Sequence, residues 1–379
     1  MRSQLFPAEF VLPGHPDKLA DAVADALVAE AGRRERRALV GLEVAVHRRS
    51  VFITGRIACS GATDIDIDGI ARQVYASAGF GSPVDPALPA GDRWTPLPET
   101  LTVATDLCLG PLLDGEEEGR AFSDDQSIVT GYAVDSPGTN DLPAEHWLAG
   151  RLARALERLR SERPDLLLGP DGKVIIVLER QGPASRLRSF STSLQQAPAG
   201  DPVELRRSVR GALEAVLSEA AEAIPGLEPD LPDIEVNGAG NFVFGGPDGD
   251  NGLSGKKLVI DAYGPRVPIG GGALSGKDLY KPDRAGAIIA RRLARLVVRT
   301  GAAPECTATL AVFPGDERFR VVSLRGAGGE PLDPARWEPF IDLSLAGAGD
   351  RWTGAADLVD VARYGHFLPG RPWETFQPA

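Results

Sequence analysis

With 379 residues, 43% of them apolar, the chain is long enough for about two or three domains and a sizeable core. Its net charge of −12 argues against a nucleic-acid surface, and no apolar run is long enough to span a membrane. Three distant cysteines, Cys59, Cys108 and Cys306, exclude a disulfide framework, and the opening residues lack a signal-peptide pattern, so a cytoplasmic protein is expected.

Residues 14–18 read Gly-His-Pro-Asp-Lys, and Leu19, Val23, Ala26 and Leu27 then recur at helical spacing. His15, Asp17 and Lys18 thus stand at a helix entrance, where free N–H groups and the dipole favour anions. Taken alone, the pentapeptide is explained as an ordinary capped helix start. Strand patterns follow at Ala38–Val46 and Val51–Ala58, carrying Glu43 and Arg56, and a helix pattern runs from Ile65 to Tyr75. Residues 80–126 read as loop, and the run Glu116-Glu117-Glu118 as a solvated, mobile segment. The same order recurs in Ala144–Arg160, Val174–Glu179, Leu187–Leu194 and Val203–Ala223. It recurs again in Ala285–Arg299, Thr307–Phe313 and Phe319–Leu324, with helical pieces near Trp337–Leu343 and Ala355–Ala362. Three helix–strand–strand–helix units imply an α+β fold of three similar subdomains, at about 1–108, 120–236 and 237–379.

Only six of the 41 basic residues are lysine: Lys18, Lys173, Lys256, Lys257, Lys277 and Lys281. A compact ammonium meets a phosphate oxygen as a point charge where the wide guanidinium fork does not fit. Four of the six lie between Lys256 and Lys281 among glycines, which let backbone N–H groups approach an anion. The stretch 238–284 therefore reads as a polyphosphate site, with the six lysines kept for that purpose. Residues 271–277 match the first part of a P-loop, but Asp278 stands where a hydroxyl should follow and Pro282 delays the helix, so an ordinary P-loop is disfavoured. Residues 238–243 lack the last glycine of a dinucleotide fingerprint. Residues 248–259 lack the glutamate of a calcium loop, and the four histidines lack zinc spacing.

The chain resembles the S-adenosylmethionine synthetases (methionine adenosyltransferases) from Phe10 to Glu374. The resemblance is carried by GHPDK at 14–18, GGPxGD at 245–250, and GGGAxSGKD at 270–278 with Lys281 and Asp283. Asp125-Gln126 followed by Gly-Tyr-Ala, and Tyr-Gly-His-Phe at 364–367, add to it. The resemblance implies three pseudo-repeated domains, each a small sheet with helices on one face, interleaved in sequence. It implies attack by the methionine sulfur on C5′ of ATP, release of triphosphate, and its cleavage to phosphate and diphosphate. Such chemistry needs alignment of sulfur, carbon and leaving oxygen, and neutralisation of a highly charged leaving group. By position, His15, Lys173, Lys257 and Lys277 are implied in catalysis and phosphate contact, with Lys256 where the family has Arg. Phe242 is implied in adenine stacking, with Asn241 beside it in place of an Arg, and Ala273 lines the ATP site. Asp125 and Asp250 position the ribose and the amino acid, and Lys281 faces the methionine. Asp17 and Asp283 are the implied Mg²⁺ ligands and Glu43 a K⁺ ligand. A homodimer with shared active sites is implied as well. Two departures stand out. Arg56 replaces a Glu that meets the methionine amino group, and the 109–121 loop lacks the family's Gln-Ser-Pro. A different small nucleophile, or a non-catalytic ATP-binding relative, therefore stands as the alternative.

Overall fold

A computed structural model describes residues 3–375. Three sheets each turn one face to helices and the other outward. The first contains Gln4–Val11, Leu168–Gln181, Ala184–Gln196, Leu227–Glu228 and Ile234–Val236. Its inner face packs on the helix Ala144–Glu162, which in turn packs on the helix Pro202–Ala223. The second sheet contains Asn251–Leu253, Leu39–His47, Ser50–Ala58 and Thr102–Gly110, and lies on the helix Pro16–Arg34. The third contains Pro331–Leu332, Arg320–Arg325, Glu305–Val312 and Ser127–Val134, and lies on the helix Pro282–Arg299. Each sheet draws on separated stretches of chain. Among the described residues, no helix is long and apolar enough to cross a membrane.

Local sequence accounts for these elements. His15 is the N-cap of Pro16–Arg34, Pro16 sits in the first turn, Asp17 faces the positive end of the dipole, and Arg33 and Arg34 face the negative end. In the second sheet Val40, Leu42, Val44 and Val46 point into the core, alternating with Gly41, Glu43, Ala45 and His47 on the outer face. Gly55, at φ +125°, lies against Gly41, and a β-carbon there would come within 2.1 Å of the Gly41 carbonyl oxygen.

The outer face of this sheet carries cross-strand rows. Leu253, Ala45, Phe52 and Ala104 form an apolar one, with Leu253 and Phe52 about half exposed. Four residues along, Lys277, Gly41, Arg56 and Cys108 form another.

Several expectations need correction. Thr102–Gly110, read as loop, is an edge strand pairing parallel to Ser50–Ala58; Gln4–Val11, given no element from the sequence, is a strand pairing with Leu168–Gln181. Trp337–Leu343 is not a helix: Pro339 leaves a single tight turn at Glu338–Phe340, and the helix forms at Leu345–Trp352. Pro282 opens the helix Pro282–Arg299 instead of delaying it, since the first turn needs no N–H there. The acidic run, solvent-exposed at Glu117 and Glu118 as expected, forms a short helix at Glu116–Gly119, where Glu116 is clamped to Arg56.

Candidate active site

The helix entrance at His15 gathers the first group of candidate residues. His15 Nδ1 accepts the Asp17 N–H at 3.2 Å, which leaves the proton on Nε2. Burial pushes the imidazole pKa down to about 4; Asp17 opposes the shift, while Lys257 and Lys173 reinforce it. His15 is thus a neutral donor at pH 7. Asp17 is buried and accepts the Leu253 N–H at 3.1 Å, and Lys257 and Lys256 approach its carboxylate at 3.3 and 3.7 Å. Lys173, on the neighbouring strand, pairs with Glu9 at 2.6 Å, and Asp250 lies close enough to act on His15 electrostatically. Phe242 sits against Gly245 and its carbonyl accepts the Gln196 N–H, while Asn241 is exposed. Ala273 packs against Gly255, the residue before Lys256.

A second group lines a cavity of about 260 Å³ between the second and third sheets: Gly41, Glu43, Thr54, Gly55, Asp124, Asp125, Lys277, Lys281 and Asp283 among them. Asp283 accepts the Ser127 hydroxyl at 2.5 Å and pairs with Lys277; Lys281 pairs with Asp124. Asp125 is exposed at the rim and accepts its neighbour's N–H. Glu43 accepts the Ser254 hydroxyl at 2.9 Å, and that hydroxyl in turn accepts the Val44 N–H. Arg56 is outside the lining; it stands one strand beyond Gly41 on the same row and is paired with Glu116.

The six lysines do not converge on one point, which corrects the reading that all of them were kept for a phosphate. Lys18 is fully buried and donates to Asp21 at 3.0 Å and Asp261 at 2.6 Å. Burial alone would lower its pKa, but Asp261 and Asp21 outweigh that and raise it. It ties the helix entrance to the short helix Leu258–Asp261, in a space closed to solvent. Asp278 is also structural. It accepts the Val40 and Tyr280 N–H groups at 2.7 and 2.8 Å and pairs with buried Arg120.

Sequence reading passed over Asp25 and Arg284. Their buried pair lies behind Lys277, and the signal was visible in charges on otherwise apolar helix faces. It also passed over Ser127 and Asp124, which orient Asp283 and Lys281.

The donor set fits hard cations. Asp17 and Asp283 each offer carboxylate oxygens beside lysines, one in each group, and Glu43 offers another. Among the described residues, no three His, Cys, Asp or Glu gather into a site complete by itself.

Two family models match: S-adenosylmethionine synthetase, N-terminal domain, over residues 3–86, and S-adenosylmethionine synthetase, C-terminal domain, over residues 244–331. S-adenosylmethionine synthase 1 of Rhodospirillum rubrum is 32% identical over 384 residues, spanning 100% of this chain and 96% of the relative. S-adenosylmethionine synthase 1 of Rhodopseudomonas palustris is 34% identical over 385 residues, with the same coverage of 100% and 96%. S-adenosylmethionine synthase of Thermus thermophilus is 32% identical over 398 residues, covering 98% of this chain and 95% of the relative. Likeness of this extent runs through both groups of residues and all three sheets, and by it the chain belongs to the S-adenosylmethionine synthetase family.

Proposed function

We propose that this protein transfers the adenosyl group of ATP to the sulfur of methionine, giving S-adenosylmethionine, phosphate and diphosphate, with one water consumed in cleaving the triphosphate. The observation that carries this reading is His15: a neutral imidazole, its Nε2–H free to donate, among Lys173, Lys256 and Lys257. The sulfur lone pair attacks C5′ while the C5′–O bond breaks, so negative charge builds on the departing oxygen. His15 donates to that oxygen without losing its proton, and the lysines hold the phosphates in a direction that keeps the reaction in line. Lys277 grips the far phosphates, and the cavity beside it seats the amino acid against Lys281 and Asp125. Asp250 and Phe242 are assigned to the ribose and the adenine. Asn241 and Ala273 border that site.

Asp17 and Asp283 would hold Mg²⁺, and Glu43 K⁺. When bound, these ions supply charge neutralisation for the triphosphate. The relatives' shared name favours methionine over another nucleophile or a silent ATP-binding role.

The reading includes a homodimer with shared active sites. The candidate residues fall into two groups, and the apolar row Leu253, Ala45, Phe52, Ala104 leaves the second sheet's outer face uncovered. A second copy docked there would let one subunit's His15 group face the other's Lys277 group.

Incubation with ATP, methionine, Mg²⁺ and K⁺ should yield S-adenosylmethionine by mass spectrometry. Triphosphate release with no methionine adduct would reject methionine as the acceptor.

A further inference from the structure

The row Lys277, Gly41, Arg56, Cys108 crosses the second sheet at the edge of the amino-acid cavity. Neighbouring strands lie about 4.8 Å apart, so Lys277 and Arg56 flank Gly41 at about 10 Å from each other. Gly41 has no side chain, and the space above it is a notch whose far side meets Lys281: the Lys281 Cε lies 4.0 Å from where a Gly41 β-carbon would be. Left bare, Arg56 would put a permanent, unpaired cation on the rim of a cavity whose own lysines, Lys277 and Lys281, are each paired with an aspartate. It is not bare. Glu116 accepts from both terminal guanidinium nitrogens at 2.7 Å each, and its own carboxylate also takes the Leu113 N–H at 2.7 Å. The guanidinium first, and that N–H second, hold the Glu116 carboxyl below its usual range. Arg120, four residues on, anchors the same segment to Asp278, next to Lys277.

We propose that Glu116 determines acceptor specificity: by neutralising Arg56 it lets the ammonium of an amino acid sit at the notch, while the acceptor's carboxylate turns to the lysines. This rests on the function proposed above. With Glu116 present the Arg56–Glu116 pair is neutral. Without it the rim gains one positive charge, which repels an ammonium and attracts a carboxylate. An acceptor with both groups and one with only the carboxylate therefore respond in opposite directions, and that difference does not arise from a merely structural role.

The test compares methionine with 4-(methylthio)butanoate, which has the carboxylate and thioether but no ammonium. Dissociation constants are measured by calorimetry on the whole protein saturated with Mg²⁺ and a non-hydrolysable ATP analogue. In Glu116→Gln, whose amide oxygen still accepts the Leu113 N–H, the preference for methionine over the analogue should fall about tenfold, the order expected for one unit charge near an ammonium at partial exposure. Arg56→Gln in the same background should restore the preference. If both ligands weaken together in Glu116→Gln, or the double variant fails to restore selectivity, the proposal is overturned. S-adenosylmethionine formation by the unsubstituted protein is assayed separately. A selectivity shift without that product would sink the catalytic reading and keep this inference, whereas product with unchanged selectivity would do the reverse.

Discussion

Arg284 holds Asp25 through both terminal nitrogens, at 2.7 and 2.8 Å, and neither side chain meets solvent. The pair joins the helices Pro16–Arg34 and Pro282–Arg299. Asp25 also accepts the Gly276 N–H at 2.9 Å, and Arg284 donates to the Lys277 carbonyl at 2.9 Å. The backbone on both sides of the Lys277 α-carbon is thereby tied to one buried ion pair.

Asp25→Asn strands the Arg284 guanidinium without its counter-charge, and should cost about 3–5 kcal/mol of stability. Replacing both partners, Asp25→Leu with Arg284→Met, should cost less, because no uncompensated charge is left inside. Urea unfolding would establish the order. A single variant as stable as the parent would show that the pair is not what holds these helices.

Lys18→Arg tests the correction made to the lysine reading. The wider head group must enter a fully buried space between Asp21 and Asp261, and about 2–3 kcal/mol should be lost to overpacking. The melting temperature should drop. If stability held and only ATP affinity fell, Lys18 would belong with the phosphate contacts after all.

Gly271 and Gly272 are neighbours with opposite expectations. A β-carbon on Gly272 would lie 2.0 Å from the Asp283 carboxyl carbon, whereas one on Gly271 would meet nothing within 4 Å. Gly272→Ala should therefore displace Asp283 from Ser127 and Lys277, and raise the Mg²⁺ concentration for half-maximal activity by about tenfold. Gly271→Ala should leave it close to that of the parent. Equal Mg²⁺ dependence in the two variants would remove Asp283 from the metal assignment.

Asp171 gives a pH dependence. Its carboxylate accepts the Gly246 N–H at 2.7 Å, yet burial outweighs that bond and pushes its pKa from an ordinary 3.8 up to about 6. Between those values the folded state holds a proton that the unfolded state has lost, so this contribution to stability falls as pH rises from about 4 to about 6. At pH 7 the penalty approaches about 3 kcal/mol. Asp171→Asn keeps an acceptor for Gly246 and removes the charge. Its stability relative to the parent should rise by about 1–3 kcal/mol between pH 4 and pH 7. A pH-independent difference in urea midpoints would contradict this.

The long helices were legible because their apolar residues keep a 3.6-residue period, as in Ala144–Glu162 and Pro202–Ala223. Among the candidate site residues, Lys257 and Lys277 drew notice as rare side chains beside glycines, His15 and Asp17 through their place at a helix entrance, and Asp283 through the family motif alone. What escaped had a physical reason. Thr102–Gly110 packs little of itself on the core, and its outward residues Ala104, Asp106 and Cys108 give no clean alternation. The helix Leu345–Trp352 contains two glycines that weaken helix propensity, yet Gly349 is needed because the Tyr280 ring lies directly against it. The role of Glu116 depends on a contact across 60 positions of sequence, which no local pattern reveals.

Leu253, Ser254 and Gly255 reach Asp17, Glu43 and Asp21 in turn, through an N–H, a hydroxyl and an N–H. Three consecutive residues thus touch both the nucleotide-facing and the acceptor-facing halves. A ligand that fixes either half therefore also restrains the other, and by reciprocity each substrate strengthens the other's binding by the same factor, whichever arrives first.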